Sequence, residues 1–246
     1  MSKKILAGIL FFLGSYTVQA AAYLNVQPIQ VCDNNRNNCA DPAQNLYLDI
    51  TEAIWAQAGI AINFLPWVSI NDSEFQDFSS PTSNLYHLWL GNPNVTGANT
   101  TADVVNMWFV NELQPSVLGT TQVGGPYSII GDLTFAGDYS DVIAHELGHT
   151  LGLVHNTDPL ALMNPSPRSP GSVDDIYSNG TGTDELFTDE IARALQSHLL
   201  TSEPISVGLT TSAASSSAPE PLSLLIVAVG LCTLFPLSKL ARRESI

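Results

Sequence analysis

Two histidines and a glutamate on one short stretch, His145-Glu146-Leu147-Gly148-His149, carry the chemistry this sequence is best equipped for. The spacing predicts a helix on which His145 and His149, four residues apart, leave the same face. Two neutral imidazoles so placed can share one zinc ion. Glu146 lies too far round the helix to be an equivalent third ligand, and is well placed to hold and deprotonate a metal-bound water. Gly152 permits a left-handed helix end that residues with a Cβ resist, so the chain can turn back and bring His155 to the same ion. Three histidines and a water make an open, catalytic zinc site rather than a closed structural one.

The full pattern, His145-Glu146-x-x-His149-x-x-Gly152-x-x-His155, is the metzincin signature. Eight residues beyond His155, Ala161-Leu162-Met163-Asn164-Pro165 is similar to the methionine turn of that clan, and the run from His145 to Pro165 resembles the matrixin branch. The resemblance implies an α+β, zincin-like catalytic domain, with a mixed twisted sheet, an active-site helix and a C-terminal helix. It implies one catalytic zinc ion held by His145, His149 and His155, Glu146 as general base, and Met163 supporting the histidines from below without ligating. The implied activity is endopeptidase cleavage of a peptide or protein substrate. No tyrosine stands two residues after Met163, so the extra ligand of astacin-like and serralysin-like relatives is absent there. The rival from another class is a non-catalytic zinc-containing surface or biofilm-matrix protein, against which the intact Glu146 argues.

The formal charge of −15, with Lys plus Arg numbering only 8, argues against a nucleic-acid partner. Residues 1–22 read as a cleaved secretory signal, with Lys3 and Lys4 before an apolar core and Val18-Gln19-Ala20 as a small-residue cleavage pattern. At the other end, 206–218 is a Ser/Thr/Ala-rich linker, and 219–246 opens with Pro219-Glu220-Pro221. An uncharged run from Leu222 to Leu237 follows, closed by Lys239, Arg242 and Arg243. As a helix it is about 24 Å long, short of the ~30 Å hydrocarbon core. This tail resembles the PEP-CTERM sorting signal of Gram-negative bacteria. That implies transient membrane association, processing by an exosortase, and delivery to the envelope surface or extracellular matrix. The alternative is a single-pass anchor with a cytoplasmic C-terminus. The catalytic domain is left with 23–205.

Cys32 and Cys39 enclose a polar loop that a disulfide could close in an exported domain, whereas Cys232 belongs to the tail. Asp41-Pro42 is a helix start, and Leu46, Ile50, Ile54 and Ala58 form an apolar stripe ending at Gly59. Strands are expected over 60–67, 85–90, 104–110 and 127–133, with Trp55 and Phe64 in the core and a polar loop over 71–84. His87 and His198 read as structural or surface histidines. Asp138 or Ser140 is expected to cap the metal helix. A last helix opens at Thr188, with Ile191, Leu195 and Leu199 on one face, and is similar to the closing helix of matrixins.

In metzincins the edge strand beside the cleft pairs with substrate, and 125–130 is the candidate for that rim. The stretch from Asn164 to Phe187 is long for a loop and departs from the matrixin length; the resemblance implies that it walls the primed-side specificity pocket. Calcium is an option through Asp174, Asp175, Asp184 and Glu185, although their spacing fits no standard loop. No cysteine-bearing propeptide and no His/Asp-rich second zinc loop is recognisable.

Overall fold

Residues 104–110 form a strand whose seven side chains are all buried. A strand covered on both faces must read as a near-continuous apolar run, as Val-Val-Asn-Met-Trp-Phe-Val does. The computed structural model describes residues 22–42, 46–78, 93–166, 176 and 184–206. In chain order they form β1 (Ala22–Cys32), α1 (Leu48–Ala56), β2 (Ile60–Phe64), β3 (Val68–Asn71), α2 (Pro93–Thr96), β4 (Val104–Val110) and β5 (Gly119–Thr121). Then come β6 (Tyr127–Gly131), α3 (Leu133–Ala136), α4 (Val142–Thr150), α5 (Thr188–Ala194) and β7 (Leu200–Thr201). Residues 1–21 of the expected leader, the chain beyond Ser206, the strand expected over 85–90, His87, Asp174 and Asp175 lie outside the described residues. Among the described residues no helix is long and apolar enough to cross a membrane.

The strands make one mixed, 7-stranded sheet in the order β2-β1-β4-β6-β5, with β3 and β7 also pairing with β1. β1 runs parallel to β2, β3 and β4, and β6 runs parallel to β4. β5 is antiparallel to β6, and β7 to β1. Leu24, Val26, Met107, Phe109 and Ile130 face the layer that holds α1 and α4. Ile29, Val31, Trp108 and Ile129 face a second core closed by Phe75 and Phe78. The architecture is the α+β, zincin-like one expected, built on a central strand that the sequence reading did not single out. β1 is hard to see because Asn25 and Gln27 occupy buried positions on one face. Their amides are satisfied there, Asn25 donating to Thr201 Oγ1 at 3.0 Å and Gln27 to the Pro66 carbonyl at 2.6 Å.

The strands expected over 60–67 and 127–133 end early, at Phe64 and Gly131, and two expected helices change. The first helix begins at Leu48 rather than at Asp41-Pro42, because Leu46 and Tyr47 both sit in the left-handed region (φ 51° and 48°). Its stripe is nonetheless buried through Leu46, Ile50, Ile54 and Ala58, and Gly59 ends the segment at φ 67°. The last helix stops at Ala194, so Leu195 is exposed, whereas Leu199 is buried through the turn that follows. His198 is exposed.

Cys32 and Cys39 are joined by a disulfide across the loop that ends β1. Inside it the Asp33 carboxylate accepts the backbone N–H groups of Asn35 and Asn37. Closing so short a loop should contribute about 2 kcal/mol. Reduction with alkylation is therefore expected to lower the melting temperature by several degrees; unchanged melting would count against a stabilising bond.

Asp132, at the N-cap of α3, accepts the Asp41 N–H at 3.0 Å. Burial pushes its carboxyl up from 3.8 to about 6, partly opposed by that hydrogen bond. The folded state thus holds the proton more tightly than the unfolded chain, and stability falls as pH rises from 3.8 to about 6. Asp132→Asn keeps an acceptor for Asp41 and removes the half-buried charge. It should stabilise the protein by about 1 kcal/mol at neutral pH, allowing for solvent screening, and by nothing at the acid end of that window. Denaturant titrations at the two pH values check this.

Candidate metal centre

α4 is anchored by Ile143, Ala144 and Leu147, all fully buried in the core beneath the sheet. It begins at Val142 with Asp141 at the N-cap and no side-chain cap hydrogen bond. Neither Asp138 nor Ser140 takes that position, and Asp138 instead accepts the Tyr47 hydroxyl at 3.0 Å. The helix ends in a Schellman turn: Gly152 N–H donates to the His149 carbonyl and Leu153 N–H to that of Gly148, both at 2.9 Å. Gly152 has φ 88°, where a Cβ would be strained. That turn folds the chain back and delivers His155.

The three histidine rings face one another, with centroids 4.9 Å apart for His145 and His149, 4.9 Å for His149 and His155, and 5.4 Å for His145 and His155. One nitrogen from each lies within 4.8 Å of the others. His145 Nδ1 is 2.9 Å from the Leu162 carbonyl, and His149 Nδ1 is 2.9 Å from that of Leu153. A carbonyl only accepts, so each Nδ1 carries the proton and each Nε2 is the nitrogen with a lone pair. His149 Nε2 and His155 Nε2 are 3.2 Å apart. Two nitrogens bound tetrahedrally to zinc at 2.0–2.1 Å would stand about 3.3 Å apart. Burial lowers the pKa of His149, which favours the neutral, ligating imidazole. The donor set fits zinc.

Met163 is fully buried under α4, so close that a Cβ on Gly148 would run into its sulfur. The turn that carries it is tied from behind. Leu162 N–H donates to the Glu185 carbonyl at 2.9 Å, and Glu185 N–H to that of Leu160 at 2.8 Å. The Gln57 side chain then brackets Glu185, donating to the Asp184 carbonyl at 2.8 Å and accepting Leu186 N–H at 3.1 Å. A chain of bonds therefore runs from the end of α1 to the carbonyl that orients His145. Gln57 carries no sequence signal, since its partners lie more than a hundred residues away. Of the acidic residues considered for calcium, Asp184 is buried and Glu185 is held by these backbone bonds.

Glu146 points from the next position of α4 toward β5 and is 6% exposed. Its Oε2 accepts the Thr121 hydroxyl at 2.5 Å. Burial pushes the carboxyl up to about 7, against the Thr121 hydrogen bond, which lowers it. A cleft runs past these groups along β5. On one side a cavity of about 200 Å³ is lined by Val117, Leu118, Val142, Asn164 and Pro165; on the other, one of about 400 Å³ by Thr120, Thr121, Val123 and Val154. Gly119, Glu146 and His155 line both. The rim is therefore β5, at the sheet edge, and the expected candidate over 125–130 is corrected: β6 lies one strand inward, between β5 and β4. Three residues, Gly-Thr-Thr, offer no alternation by which a strand could be recognised.

The profile of the matrixin family, peptidase family M10, matches residues 15–177. The chain belongs to the matrixin family. It is accordingly a zinc metallopeptidase. No curated protein sequence matches it. Among solved structures this matrixin is similar to a chain in a chaperone–substrate complex, at 13% identity and TM-score 0.47, over 72% of its length but 34% of the other chain's. It is also similar to archaemetzincin from Methanopyrus kandleri, at 13% identity and TM-score 0.43, over 71% and 95%. Metalloproteinase-II from Bacteroides fragilis matches at 14% identity and TM-score 0.43, over 72% and 53%. This matrixin thus spans about a third of the first of these chains and about half of the last.

Proposed function

We propose that this matrixin is an exported zinc endopeptidase in which His145, His149 and His155 hold the metal through Nε2 and Glu146 is the general base. The observation that carries this reading is the convergence of three imidazoles, two with Nδ1 committed to carbonyls, beside a buried carboxylate. When bound, zinc supplies Lewis acidity that makes water a nucleophile at neutral pH and polarises a carbonyl. Glu146 takes the proton of the attacking water through Oε1, the oxygen not bonded to Thr121, and passes it to the leaving amine. β5 presents an edge to the cleft, on which an extended peptide can add as a further strand with its scissile bond beside Glu146. The cavity bordered by Val117, Leu118 and Val142 then receives a side chain on one side of the cut. A non-catalytic role gives no reason to bury a carboxylate against the cleft, at a cost in desolvation.

The same proposal covers the ends: a secretory leader over 1–22, a domain over 23–205, and a linker and PEP-CTERM tail from 206 that an exosortase removes at the membrane. The composition of Pro219-Glu220-Pro221, the short apolar run and the Lys239/Arg242/Arg243 cluster support it. Incubating the exported protein with an unfolded polypeptide and sequencing the products tests the activity. Internal cuts abolished by a chelator and restored by zinc are expected. Trimming from chain ends alone, or cleavage indifferent to chelation, would contradict it.

A further inference from the structure

Glu146 is seated on β5 by two residues of the same strand face. Gly119 and Thr121 are two apart and so point the same way. A Cβ built on Gly119 would stand 2.7 Å from Glu146 Cγ and 2.8 Å from Oε1, so the missing side chain is what admits the carboxylate. Thr121 Oγ1 lies 2.5 Å from Oε2 and 2.9 Å from the hydroxyl of Ser128, which is fully buried on β6. Thr121 has one proton to give. An ionised carboxylate has none, so Thr121 donates to Oε2 and Ser128 in turn donates to Thr121. A rotation of both hydroxyls reverses the relay when Oε2 is protonated.

We propose that Thr121, backed by Ser128, is a positioning residue that fixes Oε2 of Glu146 and so turns Oε1 toward the reacting water. This role presupposes Glu146 as the base. It also makes one strand serve two purposes, since the residues that seat the base lie on the edge along which substrate would add. A hydrogen bond to a buried carboxylate is among the stronger kinds, and its loss frees a side chain whose orientation matters most at the transition state.

The test uses the zinc-loaded exported protein and its Thr121→Val, Thr121→Ser and Glu146→Gln variants, with kcat, KM and zinc content measured for each. Thr121→Val is expected to lower kcat by about tenfold or more, with KM within about twofold and zinc unchanged. Thr121→Ser, which keeps the hydroxyl, should recover most of the loss. In the Glu146→Gln background Thr121→Val should add little, because both act through one carboxylate. Should Thr121→Val not fold, Ser128→Ala probes the relay from its far end, with an expected loss of about threefold. Wild-type kcat in Thr121→Val (or in Ser128→Ala where that variant stands in) while Glu146→Gln is impaired would overturn the role of Thr121 alone. Equal impairment in the Val and Ser variants would do the same. Wild-type kcat in Glu146→Gln would overturn the base and the positioning role together.

Discussion

Glu146→Gln should keep zinc at the wild-type stoichiometry while lowering peptidase turnover by at least about 10²-fold. Glutamine has the shape of glutamate, and its amide oxygen can still accept the Thr121 hydroxyl that now lies 2.5 Å from Oε2. The seat on β5 is therefore preserved, and no histidine loses its carbonyl partner. What is lost is the capacity to take and return a proton. Because a buried charge is also removed, the variant should fold at least as stably as the parent. Unchanged turnover in a folded, zinc-loaded Glu146→Gln would contradict its role as base.

His149→Ala is expected to have the broadest effect: loss of zinc, loss of activity, and loss of metal-dependent stability. This ring supplies the central nitrogen, 3.2 Å from that of His155, and its Nδ1–H satisfies the Leu153 carbonyl inside the Schellman turn. Its removal leaves that carbonyl without its donor and the remaining pair without a third ligand. Binding to the folded state alone stabilises it by about 2.7 kcal/mol at a free zinc concentration of 100 times Kd. The melting temperature of the wild type should therefore climb with added zinc, and that of His149→Ala should stay flat. A zinc-dependent rise of wild-type size in His149→Ala would place the metal elsewhere.

What the sequence makes legible here is what is local. His145, His149, Gly152 and His155 are joined by one helix and one turn, so their spacing alone prescribes where they point. The closeness of Met163 to Gly148 is of the same kind once the turn is known. The seat of Glu146 is not, because Thr121 is 25 residues away and reaches it only through the pairing of β5 with β6. Gln57 is more remote still, acting on His145 through three segments. β1 was hidden for a different reason: strand patterns are recognised by apolar alternation, and Asn25 and Gln27 are buried by hydrogen bonding instead. The rim lies one strand outside the stretch the sequence suggests, because a three-residue edge carries no period at all.

The zinc site itself is tested most directly by a crystal structure of the exported protein with anomalous scattering recorded on either side of the zinc absorption edge. One peak is expected, about 2.0–2.1 Å from Nε2 of His145, His149 and His155, with Glu146 beside it and not bonded to it. A zinc peak bound through Nδ1, shared with Glu146 as a ligand, or absent from the three histidines in catalytically active crystals would contradict the account.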